Sequence, residues 1–222
     1  MKKFAFVSDF DGTLTQKDFY HIVIDKYLAG WGREFYEDWK KSKKINTEFL
    51  NKIFGSLGKT EEEIYEEISK IPLDEHAVDF IEKVKSNGGS FYILSAGTSY
   101  YIDILLSQRE IKDVPVISMK GIYREGGIEI HPDKNSPYFS EVFGLDKRKV
   151  VEELKKTYEM VFFAGDSEPD LEAAKAADVA FAKSDLQDLL RKENVAFVPI
   201  ENYTQIDKYM MERGWLHDGI HE

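Results

Sequence analysis

The feature that most constrains the fold is an alternation of short apolar runs with amphipathic helical patterns. The apolar runs predicted to be buried strands lie at residues 4–8, 90–95, 160–165, 179–182 and 196–198. Helical patterns separate these runs, and strands that alternate with helices form a parallel sheet covered on both faces. The sequence therefore predicts an α/β fold with a Rossmann-like, doubly wound parallel sheet.

One long segment, residues 17–71, interrupts this alternation directly after the first predicted strand. It is helical in period, rich in Lys, Glu and aromatic residues, and contains no convincing strand pattern. An insertion at this point would lie over the carboxyl ends of the strands, where such sheets bind ligands. We therefore predict two units: an α/β core of residues 1–16 and 72–222, and a small helical cap of residues 17–71.

Composition excludes several kinds of site and partner. The 222-residue chain has no cysteine, which removes disulfides and thiolate chemistry and fits a reducing cytoplasm. Its net charge of −11 argues against a nucleic-acid partner, because a phosphate backbone requires a basic face. No apolar run approaches the roughly 18 residues of a membrane span. We expect a cytoplasmic protein with no membrane partner, either a monomer or a homodimer.

The first chemical signal is the pair of carboxylates Asp9 and Asp11, at the end of the first predicted strand. Like charges this close are costly unless a cation or a proton lies between them. Because Gly12 and Thr13 follow, an ordinary solvated Asp-Gly turn explains the pair equally well. An Asp-x-Asp pair is also expected by chance in so acidic a chain, so its position is the informative part.

The second signal is Asp166, which follows the predicted strand 160–165. Parallel strands present their carboxyl ends at one edge, so Asp166 can reach the same crevice as Asp9. Local helix capping offers an alternative for its neighbours, with Ser167 as N-cap and Asp170 as its capping-box partner. That alternative does not account for Asp166.

Two further signals could bind an anion. Ser95 ends the predicted strand 90–95, and its hydroxyl together with free backbone amides at a helix start would suit an oxyanion. Ser95 could equally be a simple N-cap. A lysine of the predicted helix 146–158 would add positive charge. We choose Lys147; the alternatives are Lys149, Lys155 and Lys156, and each alone is more typical of a solvated surface.

Together these residues resemble the motifs of the haloacid dehalogenase superfamily of phosphatases. Residues 9–15, Asp-Phe-Asp-Gly-Thr-Leu-Thr, are similar to the first motif, Ser95 to the second, Lys147 to the third, and Gly165-Asp166-Ser167-x-x-Asp170 to the fourth. The motifs occur in order along nearly the whole chain, and a Gly-Gly hairpin is predicted at 116–131. The insert and the hairpin resemble the phosphoserine phosphatase branch. Residues 171–175, Leu-Glu-Ala-Ala-Lys, resemble its 2-hydroxy-3-keto-5-methylthiopentenyl-1-phosphate phosphatase group.

The resemblance implies covalent catalysis of phosphate-ester hydrolysis. Asp9 would attack phosphorus and form an aspartyl-phosphate. Asp11 would protonate the leaving alkoxide and then deprotonate the hydrolytic water. Because dehalogenases of the superfamily lack the second aspartate, Asp11 argues against dehalogenation.

The resemblance also implies a cofactor and a binding site. Mg²⁺ would be held by Asp9, Asp166 and the carbonyl oxygen of Asp11. Ser95, Lys147 and the backbone amide of Gly97 would bind the phosphate oxygens. Thr13 and Asp170 would support the residues that bind the metal and the phosphate, and Asp170 would orient Lys147 or a metal-bound water.

The substrate stays open beyond a small phosphorylated metabolite. The cap would close over the site and exclude water. Trp31, Phe35 and Trp39 lie at helical spacing and are predicted to form the hydrophobic core of the cap. The candidates for substrate contact in the cap are Phe19, Tyr20, Arg33, Tyr36 and Lys40.

Three other functions fit parts of the pattern. A phosphomutase or phosphotransferase would use the same nucleophile and transfer the phosphoryl group to another acceptor. A non-catalytic phosphate-binding module would keep the fold without the chemistry. A receiver-type signalling domain also surrounds Mg²⁺ with acidic residues, a hydroxyl and a lysine, but its phosphorylated aspartate would end the third strand rather than the first.

Overall fold

One sheet of seven strands runs through the described part of the chain, residues 3–42 and 44–218 of a computed structural model. The strands are β1 (Phe4–Ser8), β2 (Ser90–Thr98), β3 (Val116–Arg124), β4 (Gly127–His131), β5 (Met160–Gly165), β6 (Val179–Ala182) and β7 (Val198–Pro199). Their order is β4-β3-β2-β1-β5-β6-β7. All neighbours pair in parallel except β3 and β4, which form an antiparallel hairpin. The predicted α/β fold is confirmed.

Helices connect the strands and also fill the long segment after β1. They are α1 (Phe19–Tyr27), α2 (Gly32–Ser42), α3 (Thr47–Phe54), α4 (Glu61–Ile68), α5 (Ala77–Ser86), α6 (Ser99–Gln108), α7 (Lys147–Leu154), α8 (Leu171–Ala176), α9 (Ser184–Lys192) and α10 (Tyr203–Glu212). The first four lie within residues 17–71, which agrees with the helical pattern of that segment. Helix α7 is four residues shorter at its C-terminal end than the predicted helix 146–158.

The central strand β1 shows why the sheet is covered on both faces. All five of its residues are buried, and successive side chains of a strand point to opposite faces. Phe4 and Phe6 belong to one hydrophobic cluster, to which α5, α6 and α10 contribute. Ala5 and Val7 belong to a second cluster, with α7, α8 and α9. Helices on both faces leave the strand ends at the carboxyl edge as the open part of the sheet.

Of helices α1–α4, α3 contacts the β3–β4 hairpin and α4 contacts α6. The side chain of Asn51 on α3 donates to the carbonyl of Ile130 and accepts from its amide, at 3.2 and 2.7 Å. Phe35 and Trp39 pack against buried Phe49, as expected for a hydrophobic core in this segment. Trp31 is 37 % exposed at its margin. The division into a core and a cap stays a prediction.

Glu67 on α4 joins that helix to α1. Its carboxylate accepts hydrogen bonds from Lys26 and, at 2.6 Å, from Lys70. The side chain is 12 % exposed, and burial alone would raise its pKa. The hydrogen bonds from Lys26, Lys70 and Tyr27 outweigh burial and lower the pKa of Glu67 from 4.5 to about 2.

Glu67→Gln should therefore lower the free energy of unfolding at pH 7 by about 1–2 kcal/mol. A depressed folded-state pKa stabilises the fold above the unfolded value of 4.5, and this contribution is lost as the pH falls toward 2. Urea unfolding between pH 7 and pH 3 should show the difference from wild type shrinking in acid. Glu66→Gln, at an exposed position of the same helix, is the control; equal losses in both variants would contradict this account.

Candidate active site

Three predicted site residues meet at the carboxyl edge of the sheet. Asp9 directly follows β1, Ser95 lies in the last part of β2, and Asp166 directly follows β5. Strand β1 has β2 and β5 as its neighbours, so the three side chains belong to adjacent strands. The amide of Asp9 donates to the carbonyl of Ala164 at 2.8 Å, which fixes Asp9 against β5. Asp9 and Ser95 are buried, and Asp166 is 9 % exposed.

Lys147 is the lysine that reaches this site. Its Nζ lies 2.5 Å from Asp9 Oδ1 and 2.6 Å from Asp170 Oδ1. It is the first residue of α7 and is 3 % exposed. The three alternative lysines are exposed and pair elsewhere: Lys149, Lys155 and Lys156. Although burial lowers it, the carboxylates of Asp170 and Asp9 raise the pKa of Lys147 above its usual value, so the site holds a fixed positive charge.

Asp170 uses its two oxygens for two different purposes. Oδ1 binds Lys147 at 2.6 Å, as the expected orienting role requires. Oδ2 accepts from the backbone amides of Asp166 and Ser167 at 3.0 and 3.1 Å. The local capping explanation for Asp170 is thus correct, and the same carboxylate also fixes the lysine. One side chain couples the loop that carries Asp166 to α7.

Asp11 is held on both of its carboxyl oxygens by groups other than Lys147. Oδ1 accepts from the amide of Phe19 at 3.0 Å, and Oδ2 accepts from the hydroxyl of Tyr101 at 2.5 Å. Burial, followed by the charge of Asp18, raises the pKa of Asp11 to about 7, although both hydrogen bonds oppose the shift. A carboxyl group with a pKa near neutral pH can serve as both acid and base.

The loop between Asp9 and α1 is not the solvated turn that the sequence left open. Gly12 has a φ of +77°, and a Cβ there would lie 2.5 Å from Asp166 Oδ2 and 2.8 Å from Asp18 Oδ1. Only glycine allows the loop that follows Asp9 to approach the carboxylate of Asp166 this closely. Thr13 is buried, with Oγ1 3.5 Å from Asp166 Oδ1. The loop is therefore packed against the site.

Ser95 is not the N-cap of the following helix. Helix α6 is capped by Thr98, whose hydroxyl accepts from the amide of Tyr100. The hydroxyl of Ser95 lies further back and accepts from the amide of Gly97 at 2.9 Å. The Gly97 amide, expected to be free, is therefore engaged by Ser95 in this arrangement. The helix-capping alternative for Ser95 is wrong.

The carboxylates of the site fit a divalent cation. Oxygens of Asp9, Asp166 and Asp170 lie within 4.8 Å of one another. Burial, and then the neighbouring carboxylates, raise the pKa values of Asp9 and Asp166. Lys147 offsets only one of these three charges, and oxygen donors with excess negative charge suit a hard cation such as Mg²⁺. The third carboxylate of this cluster belongs to Asp170, whereas the third metal ligand predicted from the sequence is the carbonyl oxygen of Asp11.

A cavity of about 470 Å³ opens beside these residues. Of the candidates for substrate contact, Tyr20, Tyr36 and Lys40 line it. Phe19 is instead buried in the core, and Arg33 binds Asp25 on the surface. Sequence reasoning missed several lining residues: Asp18, Lys44, Asn46, Tyr101, Phe143 and Asp185. Asp18 could have been suspected because it directly precedes the first helix of the insert; the others come from separate segments and carry no local signal.

Comparison with known proteins identifies the family. The family described as haloacid dehalogenase-like hydrolase matches residues 6–175, so the chain belongs to this family. A 2-hydroxy-3-keto-5-methylthiopentenyl-1-phosphate phosphatase of Exiguobacterium sp. is 24 % identical over 206 residues, which cover 92 % of this chain and 95 % of that protein. A polyol phosphate phosphatase of Saccharomyces cerevisiae is 29 % identical, over 93 % of this chain and 92 % of that protein.

A solved structure shares the fold. It is described as a phospho-aspartyl intermediate analogue of phosphoserine phosphatase, and it superposes with a TM-score of 0.68 at 18 % identity, covering 94 % of this chain and 99 % of its own. The predicted fold and the resemblance to this family are confirmed, as is the prediction of a hydrolase of the phosphatase kind. Among the described residues, no helix combines the length and apolarity needed to cross a membrane.

Proposed function

We propose that this chain is a Mg²⁺-dependent phosphomonoesterase that hydrolyses a small phosphorylated metabolite through an aspartyl-phosphate on Asp9. The observation that carries the proposal is the buried contact of Lys147 with Asp9 and Asp170, next to Asp166. Such a site pairs a carboxylate nucleophile with a fixed positive charge. Asp9, Asp166 and the carbonyl oxygen of Asp11 would hold Mg²⁺, with the Asp170 carboxylate beside them engaged by Lys147 and two backbone amides. Mg²⁺, when bound, adds positive charge for the transferring phosphoryl group.

Asp9 is the nucleophile in this proposal because of its position and its partner. It follows the central strand and opens onto the cavity. Lys147 contacts Oδ1 at 2.5 Å and opposes the rise in the pKa of Asp9 that burial causes, which supports the ionised form that attack requires. The same ammonium group, with Ser95 and the amide of Gly97, would bind the phosphate oxygens.

Asp11 is assigned the proton transfers. It borders the cavity, as Asp9 does, but it is not bonded to the lysine. In its protonated form it would donate to the leaving oxygen, and the resulting carboxylate would then accept a proton from the hydrolytic water. A pKa of about 7 suits both steps.

The substrate proposed here has a small organic part beyond the phosphate. The relatives are named as phosphatases of a methylthiopentenyl phosphate and of polyol phosphates. A cavity of about 470 Å³ has room for more than a phosphate group. Its wall combines the polar residues Tyr20 and Tyr36 with the apolar residue Leu50, a surface suited to a partly hydroxylated carbon chain. Transfer to a second metabolite, as in a phosphomutase, would use the same residues.

Purified protein should hydrolyse p-nitrophenyl phosphate only when Mg²⁺ is present. We expect EDTA to reduce phosphate release to background and added Mg²⁺ to restore it. Mg²⁺ should also raise the thermal unfolding midpoint of the wild type but not of Asp166→Asn, because ligands stabilise the state that binds them. Hydrolysis that is insensitive to EDTA would contradict the metal requirement.

A panel of phosphoserine, sugar phosphates, pyridoxal phosphate and phosphocholine would then rank substrates. Release of inorganic phosphate distinguishes hydrolysis from transfer, in which the phosphoryl group would appear on an added acceptor. If no phosphate ester of the panel is hydrolysed or transferred, the proposed function is wrong.

A further inference from the structure

The hydroxyl of Tyr101 contacts the carboxyl group assigned to proton transfer. It donates to Asp11 Oδ2 at 2.5 Å, and the tyrosine is buried. We propose that Tyr101 is a positioning residue that fixes Asp11 in the orientation needed to protonate the leaving group. This inference rests on the proposed phosphatase function and concerns how its acid is held.

The tyrosine ring is locked by its surroundings. Its centroid lies 5.0 Å from that of Phe19, 5.8 Å from that of Phe54 and 6.0 Å from that of Phe10. The residue belongs to the first turn of α6, directly after β2. Aromatic packing on three sides leaves the ring little freedom to rotate, so the hydroxyl is held at a defined point.

There is space for the Tyr101 hydroxyl because position 97 is a glycine. A Cβ at Gly97 would lie 1.9 Å from the Tyr101 hydroxyl oxygen and 3.0 Å from Asp11 Oδ2. Any larger residue at position 97 would displace the tyrosine or the aspartate. Gly97, near the end of β2, thus permits the contact between Tyr101 and Asp11 in addition to any role in phosphate binding.

Asp11 is fixed by donors from two parts of the chain. Phe19, which begins α1, donates its amide to Oδ1, and Tyr101 on α6 donates to Oδ2. Two donors on two oxygens define the plane of the carboxyl group, whereas one would let it rotate. Misplacing a reacting group by about 1 Å can cost a factor of about 10² in rate.

Asp11 loses and regains a proton during the reaction, whereas Tyr101 keeps its proton. As Asp9 forms its bond to phosphorus, the bond from phosphorus to the leaving oxygen breaks and Asp11 gives its proton to that oxygen. Water then forms a bond to phosphorus, the bond to Asp9 breaks, and Asp11 recovers a proton from the water. Burial and the nearby Asp11 raise the pKa of Tyr101, so its hydroxyl keeps its proton throughout.

The test is Tyr101→Phe, which keeps the ring and removes the hydroxyl. We expect kcat/KM for an alkyl phosphate to fall about 10- to 100-fold. For p-nitrophenyl phosphate it should change less than about threefold, because a good leaving group departs without a proton. The ratio kcat/KM reports only steps up to departure of the leaving group, so hydrolysis of the intermediate does not obscure the comparison.

Tyr100→Phe is the matched control. This neighbouring tyrosine donates to Glu61 on α4 at 3.1 Å and is not a lining residue of the cavity. Its loss should leave both esters unchanged. Incorporation of 4-aminophenylalanine at position 101 restores a donor of similar shape and should recover part of the alkyl-ester activity; it also provides a second variant if Tyr101→Phe does not fold.

The outcomes separate the two proposals. If Tyr101→Phe lowers kcat/KM for both esters equally, or for neither, Tyr101 does not position the acid. If the wild type hydrolyses neither ester, the proposed function itself fails. In an Asp11→Asn background, Tyr101→Phe should have no further effect on the alkyl ester, since the group it positions is gone; an additional loss as large as in the wild type would overturn the inference.

Discussion

Asp9→Asn should reduce phosphate release from p-nitrophenyl phosphate by a factor of about 10⁴ or more. Loss of a covalent nucleophile abolishes the covalent reaction path, whereas loss of a single contact only weakens transition-state binding. Losses of activity on removal of a nucleophile fall in this range. The amide is nearly the size of the carboxylate, and Lys147 keeps Asp170 as its partner. The variant should therefore fold, which thermal unfolding can check.

Asp188→Asn is the control for Asp9→Asn. Asp188 is exposed on α9 and pairs with Arg191, so its amide variant should retain wild-type activity. Phosphate release should be measured at saturating Mg²⁺ with both variants prepared alongside the wild type. Full activity in Asp9→Asn would show that the nucleophile has been assigned wrongly.

Lys147→Met should lower the free energy of unfolding by about 3–5 kcal/mol, a larger loss than that expected for Glu67→Gln or Lys149→Met. Methionine fills a similar volume but leaves Asp9 and Asp170 buried without their cation. Removing one partner of a buried ion pair is costly because the other charges stay desolvated. Activity should fall as well, since the nucleophile and the phosphate lose the same positive charge.

Lys149→Met separates this effect from a general loss of charge in α7. Lys149 is 50 % exposed and lies 3.8 Å from Asp146, so its replacement should cost less than about 0.5 kcal/mol. Urea unfolding and phosphate release of the two variants give the comparison. Equal stability of Lys147→Met and Lys149→Met would contradict the buried position of Lys147.

The sequence predicted the frame of the site because the positions of the strands are encoded locally. Apolar runs such as residues 4–8 and 160–165 mark central strands, and parallel strands bring their carboxyl ends together. Asp9 and Asp166 could therefore be placed side by side. Lys147 lies at the start of the predicted helix and resembles the family's third motif, but no periodicity in α7 distinguishes it from the three other lysines.

The contacts that were missed depend on how distant segments pack. Tyr101 reaches Asp11 because α6 turns back toward the first loop and because Gly97 leaves room. No periodicity in the sequence records that geometry. Asp170 was assigned two competing roles, and only the structure shows that its separate oxygens serve both.

Phosphorylation of Asp9 during turnover can be observed directly in the variant Asp11→Asn. This variant keeps the nucleophile but lacks the base that activates water, so the intermediate should accumulate. After mixing with p-nitrophenyl phosphate and Mg²⁺, the reaction is stopped in acid and the peptides are analysed by mass spectrometry. We expect one phosphoryl group, on Asp9. A phosphoryl group on another residue, or none while p-nitrophenolate is still released, would contradict it.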